Sequence, residues 1–116
     1  MSTITAPAIV DVTTSQQLVA LLNTTPGTVI VDYWAPWCAP CRQIAPVLQQ
    51  LATERGDVTL AKVNIEQATA LAQQQQLMSV PTLDLHHQGR FRMRLTGPRP
   101  RHAIIQAVNE AAGAAA

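Results

Sequence analysis

Charged side chains are scarce in this chain of 116 residues: 13% are Asp, Glu, Lys or Arg, and the formal net charge is +1. A surface so close to neutral has no general attraction for nucleic acid or an anionic membrane, so neither is expected as a partner. Lys62 is the only lysine. Apolar runs long enough to cross a bilayer are missing. Met1 to Pro7 carry neither a basic start nor a long apolar run, so no secretory leader is expected and a cytoplasmic location is. Aromatic residues number two Trp, one Tyr and one Phe, and there are two cysteines. Two cysteines do not make a disulfide-stapled scaffold, and a reducing compartment favours a bridge that cycles over a permanent one.

What the chain does have is 47% hydrophobic residues, enough for one packed core. A single domain over residues 1–116 is expected, with 1–7 and 111–116 frayed, and with the chain acting as a monomer. Ile9-Val10 reads as a short strand. Thr14 and Gln17 have the spacing of a capping box, ahead of Leu18, Leu21 and Leu22 on one helical face. Residues 28–34 form a β-branched, almost wholly apolar run, which predicts a buried strand. A helix is predicted from Cys38 to Arg55, with Pro46 inside it and Gly56 as its stop. Residues 58–64 predict a strand and residues 66–76 a helix. Residues 82–87 and 90–95 flank Gln88-Gly89 as a hairpin, and Ile104, Ile105 and Val108 mark a last helix. The order β-α-β-α-β-α-β-β-α implies an α/β fold, a mixed central sheet with helices on both faces.

The two cysteines stand as Trp37-Cys38-Ala39-Pro40-Cys41, directly after the apolar strand. Two intervening residues in the first turn of a helix let both sulfurs lie on one side, close enough to bond. The unpaired N–H groups and dipole of the helix start favour a thiolate there, the form that attacks disulfides. Zinc is the competing use of such a pair, but a structural site needs four ligands. Only His86, His87 and His102 could complete one, and adjacent strand residues His86 and His87 point to opposite faces. No metal site is expected.

The segment Val31-Asp32-Tyr33-Trp34-Ala35-Pro36-Trp37-Cys38-Ala39-Pro40-Cys41-Arg42 resembles the active-site signature of the thioredoxin family, and Val80-Pro81-Thr82 resembles that family's cis-proline loop. Lys62-Val63-Asn64, Gln88-Gly89 and Gly97 also fall where the family pattern places them. The likeness covers roughly residues 8–110. Trp34-Ala35-Pro36-Trp37 and Arg42 are similar to the second class of bacterial thioredoxins, whose N-terminal zinc module is not expected in this chain.

The resemblance implies the thioredoxin fold and reduction of protein disulfides through a reversible Cys38–Cys41 disulfide. It makes Cys38 the more exposed, attacking thiol and Cys41 the resolving one. Pro40 stiffens the turn, and Ala39 stands where the family usually has glycine, which bears on redox poise. Asp32, a carboxylate in an apolar strand, is expected to have a raised pKa and to exchange a proton with Cys41, with Lys62 as its partner. Trp37, Val80, Pro81, Gly97 and Pro98 are expected to form the substrate-binding rim, where extended substrate backbone pairs beside Pro81. No bound cofactor is implied; electrons come from NADPH through a thioredoxin reductase. Rival readings are a thiol oxidase or isomerase on the same fold, and a non-catalytic binding module using the rim around Pro81.

Three features depart from the family pattern. Asp84 and His86 occupy strand positions usually filled by large apolar residues, and a two-residue turn would put them on one face with Phe91 and Met93. Polar groups on a core face need partners, so either an Asp84–His86 pair or a bulge that shifts the register is required. Gln76 stands where a helix-ending glycine is usual. Alternation puts Arg90, Arg92 and Arg94 on one face of an edge strand; with Arg99 and Arg101 they either protect that edge and aid solubility or form a docking patch for acidic partners.

Overall fold

The structure, a computed structural model, describes residues 8–113. Expectations for residues 1–7 and 114–116 lie outside that range. Nine elements follow in the expected order: β1 (Ile9–Asp11), α1 (Ser15–Thr24), β2 (Thr28–Trp34), α2 (Ala39–Glu54), β3 (Val58–Asn64), α3 (Thr69–Gln74), β4 (Thr82–His87), β5 (Arg90–Thr96) and α4 (Arg101–Gly113). The strands form one sheet in the order β1-β3-β2-β4-β5. β1 and β2 run parallel to β3, β4 runs antiparallel to β2, and β5 antiparallel to β4.

Alternation along central strand β2 builds two cores, because successive strand residues face opposite ways. Ile30 joins Leu48, Leu60, Leu83, Leu85, Ile104 and Val108 on the face covered by α2 and α4. Val29, Val31 and Tyr33 join Leu18, Val63 and Leu71 on the face covered by α1 and α3. By the same alternation Asp32 falls on the α2 side. The capping box forms as the spacing predicts: Gln17 N–H donates to Thr14 Oγ1 at 3.1 Å and Thr14 N–H donates to Gln17 Oε1 at 3.2 Å.

Several boundaries differ from the sequence expectation. The helix expected over 66–76 is confined to Thr69–Gln74, because Asn64 holds the preceding segment in a turn. Its Oδ1 accepts from Glu66 N–H at 2.9 Å and its carbonyl from Ala68 N–H at 2.9 Å. Gln76 takes the left-handed conformation that glycine would, with φ 55°, as Leu77 N–H turns back toward the Ala72 carbonyl at 3.4 Å. Fraying from residue 111 is not observed: α4 runs through Gly113 and Ala111 is fully buried.

The hairpin resolves the Asp84–His86 conflict through the bulge rather than through a pair of the two. His87 faces Arg90 and His86 faces Phe91, but Leu85 faces Met93, leaving Arg92 as the extra residue. The shift separates Phe91 from Met93 and sends Met93 to the α2/α4 core. It also corrects the expected arginine face. Arg90 opposes His87 and Arg94 opposes Asp84, so the two arginines lie on opposite faces. Arg94 holds Asp84 in a two-pronged contact, Nε to Oδ1 at 2.7 Å and Nη2 to Oδ2 at 2.9 Å, and its Nη1 donates to the Gln75 carbonyl at 3.0 Å. His86 instead meets the Phe91 ring edge-on at 5.6 Å.

Asp84 is only 2% exposed, and Arg94 is its ion-pair partner. Arg94→Ala is expected to cost about 2–3 kcal/mol in urea unfolding, somewhat less than for a fully enclosed pair because the arginine keeps contact with water. Replacing both residues by leucine is expected to recover more than half of that loss.

Candidate active site

Helix α2 begins where β2 delivers it, and the cysteines occupy its start. Cys38 is the N-cap, with Ala39 and Pro40 in the first two helical positions and Cys41 in the third. Proline is tolerated there because the first N–H groups have no helical acceptor. The loop before the helix is tied by Cys38 N–H to the Ala35 carbonyl at 3.1 Å and by Arg42 Nη1 to the Pro36 carbonyl at 2.7 Å. Cys38 and Cys41 are joined by a disulfide, with their Cα atoms 5.3 Å apart. Cys41 N–H donates to Cys38 Sγ at 3.2 Å. That bond and the helix start both favour negative charge on Cys38. The greater exposure expected for Cys38 is not found: the two residues are 4% and 3% exposed. The helix start, not access to water, is what distinguishes them.

Asp32 is 2% exposed, and among the described residues its Oδ1 has no hydrogen-bond partner. Burial pushes its carboxyl from an ordinary 3.8 up to about 7, against the opposing pull of the Lys62 charge. Asp32 and Lys62 are register partners on β2 and β3, yet no hydrogen bond joins them. The Lys62 ammonium lies over the Trp34 ring, 4.9 Å from its centroid. Asp32 and Cys41 line one cavity of about 240 Å³ with Trp34, Arg42, Pro46 and Lys62. Cys38 is not among its walls.

A second, apolar groove of about 200 Å³ is lined by Trp37, Ile65, Leu77, Met78, Ser79 and Val80. Trp37 is held by Nε1 donating to Glu66 Oε2 at 2.8 Å. Val80 packs against the small buried cluster of Ala35, Cys38 and Cys41. The Val80-Pro81 peptide bond is cis, and Pro81 itself is buried. Gly97, at φ 84°, donates its N–H to the Pro81 carbonyl at 2.9 Å, so it anchors the loop rather than lining the groove. Pro98 is exposed and does not line it. Sequence reasoning missed Ile65, Leu77, Met78 and Glu66, which carry no motif of their own; the one available signal was the nearness of Leu77 and Met78 to Pro81. Among the described residues no group of three or more His, Cys, Asp or Glu side chains could hold a metal ion.

A family model described as thioredoxin matches residues 9–110. The chain belongs to the thioredoxin family. It is 40% identical over 78 residues to thioredoxin of Streptomyces clavuligerus, covering 67% of this chain and 73% of that one. It is 38% identical over 89 residues to thioredoxin of Bacillus subtilis (strain 168), covering 76% and 86%. Among solved structures it superposes on a mutant thioredoxin from Halobacterium salinarum with a TM-score of 0.81 and 26% identity, covering 88% of each chain. With its paired cysteines, this member of the thioredoxin family is a thiol–disulfide oxidoreductase that reduces protein disulfides.

The Asp32 carboxyl makes stability depend on pH. Its folded pKa of about 7 lies above the unfolded 3.8, so the folded chain keeps a proton that the unfolded chain releases between these values. The stabilisation is complete below about pH 4, is lost progressively as pH rises to 7, and stays lost above it. The full span corresponds to about 4 kcal/mol. Urea unfolding of the oxidised protein is expected to show this fall. Asp32→Asn is expected to remove most of that slope and to be more stable than the parent at about pH 8.

Proposed function

We propose that Cys38 is the attacking thiol and Cys41 the resolving one, with Asp32 as the proton acceptor and donor between them. The observation that carries this reading is the position of Cys38 at the helix cap, where Cys41 N–H points at its sulfur. The Cys38 thiolate attacks one sulfur of a target disulfide; the target S–S bond breaks and a mixed disulfide forms. Cys41 gives its proton to Asp32 across their shared cavity and attacks Cys38 Sγ. The target leaves reduced by two electrons, and Cys38–Cys41 is the product disulfide. A base with a pKa near 7 is suited to take a thiol proton at neutral pH and return it in the next cycle. Lys62 tempers that pKa by its charge while its ammonium rests on Trp34.

The apolar groove beside Val80 receives the substrate segment, with Trp37 as one wall and the backbone before Pro81 as the pairing edge. Gly97 fixes that loop through Pro81, and exposed Pro98 extends the approach surface. Pro40 and Ala39 hold the turn between the sulfurs. The disulfide is returned to the dithiol by a thioredoxin reductase drawing on NADPH, with no cofactor bound to this chain. A relative from Mycobacterium leprae, 35% identical over 83 residues, is named a bifunctional thioredoxin reductase/thioredoxin, which supports such a partner. The chain works as one domain and as a monomer in the cytoplasm, with neither nucleic acid nor membrane as partner; no helix of the described residues is long and apolar enough to cross a membrane.

Insulin reduction with NADPH and a thioredoxin reductase tests the assignment. Cys38→Ser is expected to lower turnover by about 10³-fold or more, as loss of a covalent nucleophile does. Cys41→Ser is expected to stop after one attack and to accumulate a mixed disulfide that is visible without reductant on a gel. Trapping through Cys41 in the Cys38→Ser protein instead would reverse the two roles.

A further inference from the structure

Met78 is the most exposed large apolar side chain described, at 91%, against 64% for Trp37, 56% for Val19 and 55% for Phe91. Its neighbourhood holds it there. Gln76 turns left-handed just before it, and Thr82 Oγ1 donates to the Ser79 carbonyl at 2.8 Å just after it. Met78 therefore stands on a fixed loop in the wall of the groove that contains Trp37 and Val80, and Val80 packs against the cluster that holds the cysteines. Met93 offers an internal contrast, partly buried and packed on the α2/α4 core. The thioether is soft, flexible and apolar, suited to irregular apolar partners, and it is also the side chain that peroxides convert to a polar group.

We propose that Met78 is an oxidation site through which a hydroperoxide weakens the groove's hold on protein substrates while leaving the Cys38–Cys41 exchange chemistry intact. The inference rests on the groove being the substrate site. The Met78 sulfur attacks the outer oxygen of the peroxide; the O–O bond breaks, an S–O bond forms, and water or an alcohol departs. Sulfur is oxidised by two electrons and the peroxide is reduced by two. The product sulfoxide is polar, so the groove loses an apolar contact at the side chain that projects furthest into solvent. A sulfoxide reductase restores the thioether. In the oxidised protein both cysteines are already bonded and present no thiolate to the same peroxide.

The test exposes the oxidised protein to hydrogen peroxide, locates added oxygen by peptide mass spectrometry, restores the dithiol with dithiothreitol and assays it. Met78 is expected to gain oxygen well before Met93. The KM for insulin is expected to rise about fivefold, the scale of losing much of one apolar side chain's contribution. The rate with 5,5'-dithiobis(2-nitrobenzoate), a disulfide too small to need the groove, is expected to stay within about twofold of the untreated protein on the same scale. Met78→Leu is expected to show the same insulin KM before and after peroxide. Oxidation of Met93 as fast as Met78 would overturn the assignment. So would an unchanged insulin KM in protein carrying the Met78 sulfoxide, or equal losses with both disulfides. Untreated protein that fails to reduce insulin would overturn the functional reading itself, a distinct outcome.

Discussion

Asp32 is a carboxylate on the central strand, 2% exposed beneath the helix it faces, and most of this site depends on that confinement. β2 is bonded to β3 on one side and β4 on the other, and its alternate side chains go to two different cores. Val31 and Tyr33 are sealed under α1 and α3, which fixes the register so that Asp32 must face α2. Helix α2 carries the cysteines on that same side. The sheet therefore places a buried acid behind a dithiol, across a short loop tied at Ala35 and Pro36. Desolvation dominates its electrostatics: Lys62 pulls the carboxyl down, and burial still leaves it near neutrality.

Lys62 shows how one charge serves two neighbours. Direct pairing with Asp32 would hold the carboxylate ionised and remove it as a base at neutral pH. Placed instead over the Trp34 ring, the ammonium finds a favourable face and acts on Asp32 only through space. The same logic runs in reverse at Asp84, where Arg94 grips a buried carboxylate directly. Asp32 is left without a direct partner; Asp84 is held by one.

Much of this was legible in the sequence where the signal was local. An apolar strand leading into Cys38-Ala39-Pro40-Cys41, the Thr14–Gln17 cap and the Gln88-Gly89 turn each specify their geometry within a few residues. The features that escaped depend on contacts between distant segments. A bulge was one of the two resolutions the Asp84–His86 conflict allowed; what escaped is its place at Arg92, which decides that Asp84 meets Arg94 and that Phe91 and Met93 part. Leu77, Met78 and Ile65 come from two loops, and only the closed fold makes them a wall beside Trp37. The shorter α3 follows from Asn64 bonding to the backbone ahead of it, a competition that helical periodicity does not register.

The coupling of fold to chemistry therefore rests on the protonation of one buried group. Carbon-13 NMR titration of the Asp32 carboxyl in the oxidised protein, where neither cysteine titrates, measures it directly. The account predicts a midpoint near 7 that moves upward when Lys62 is replaced by a neutral residue, since the lysine charge holds the value down. A midpoint near 3.8, unmoved by that replacement, would contradict it.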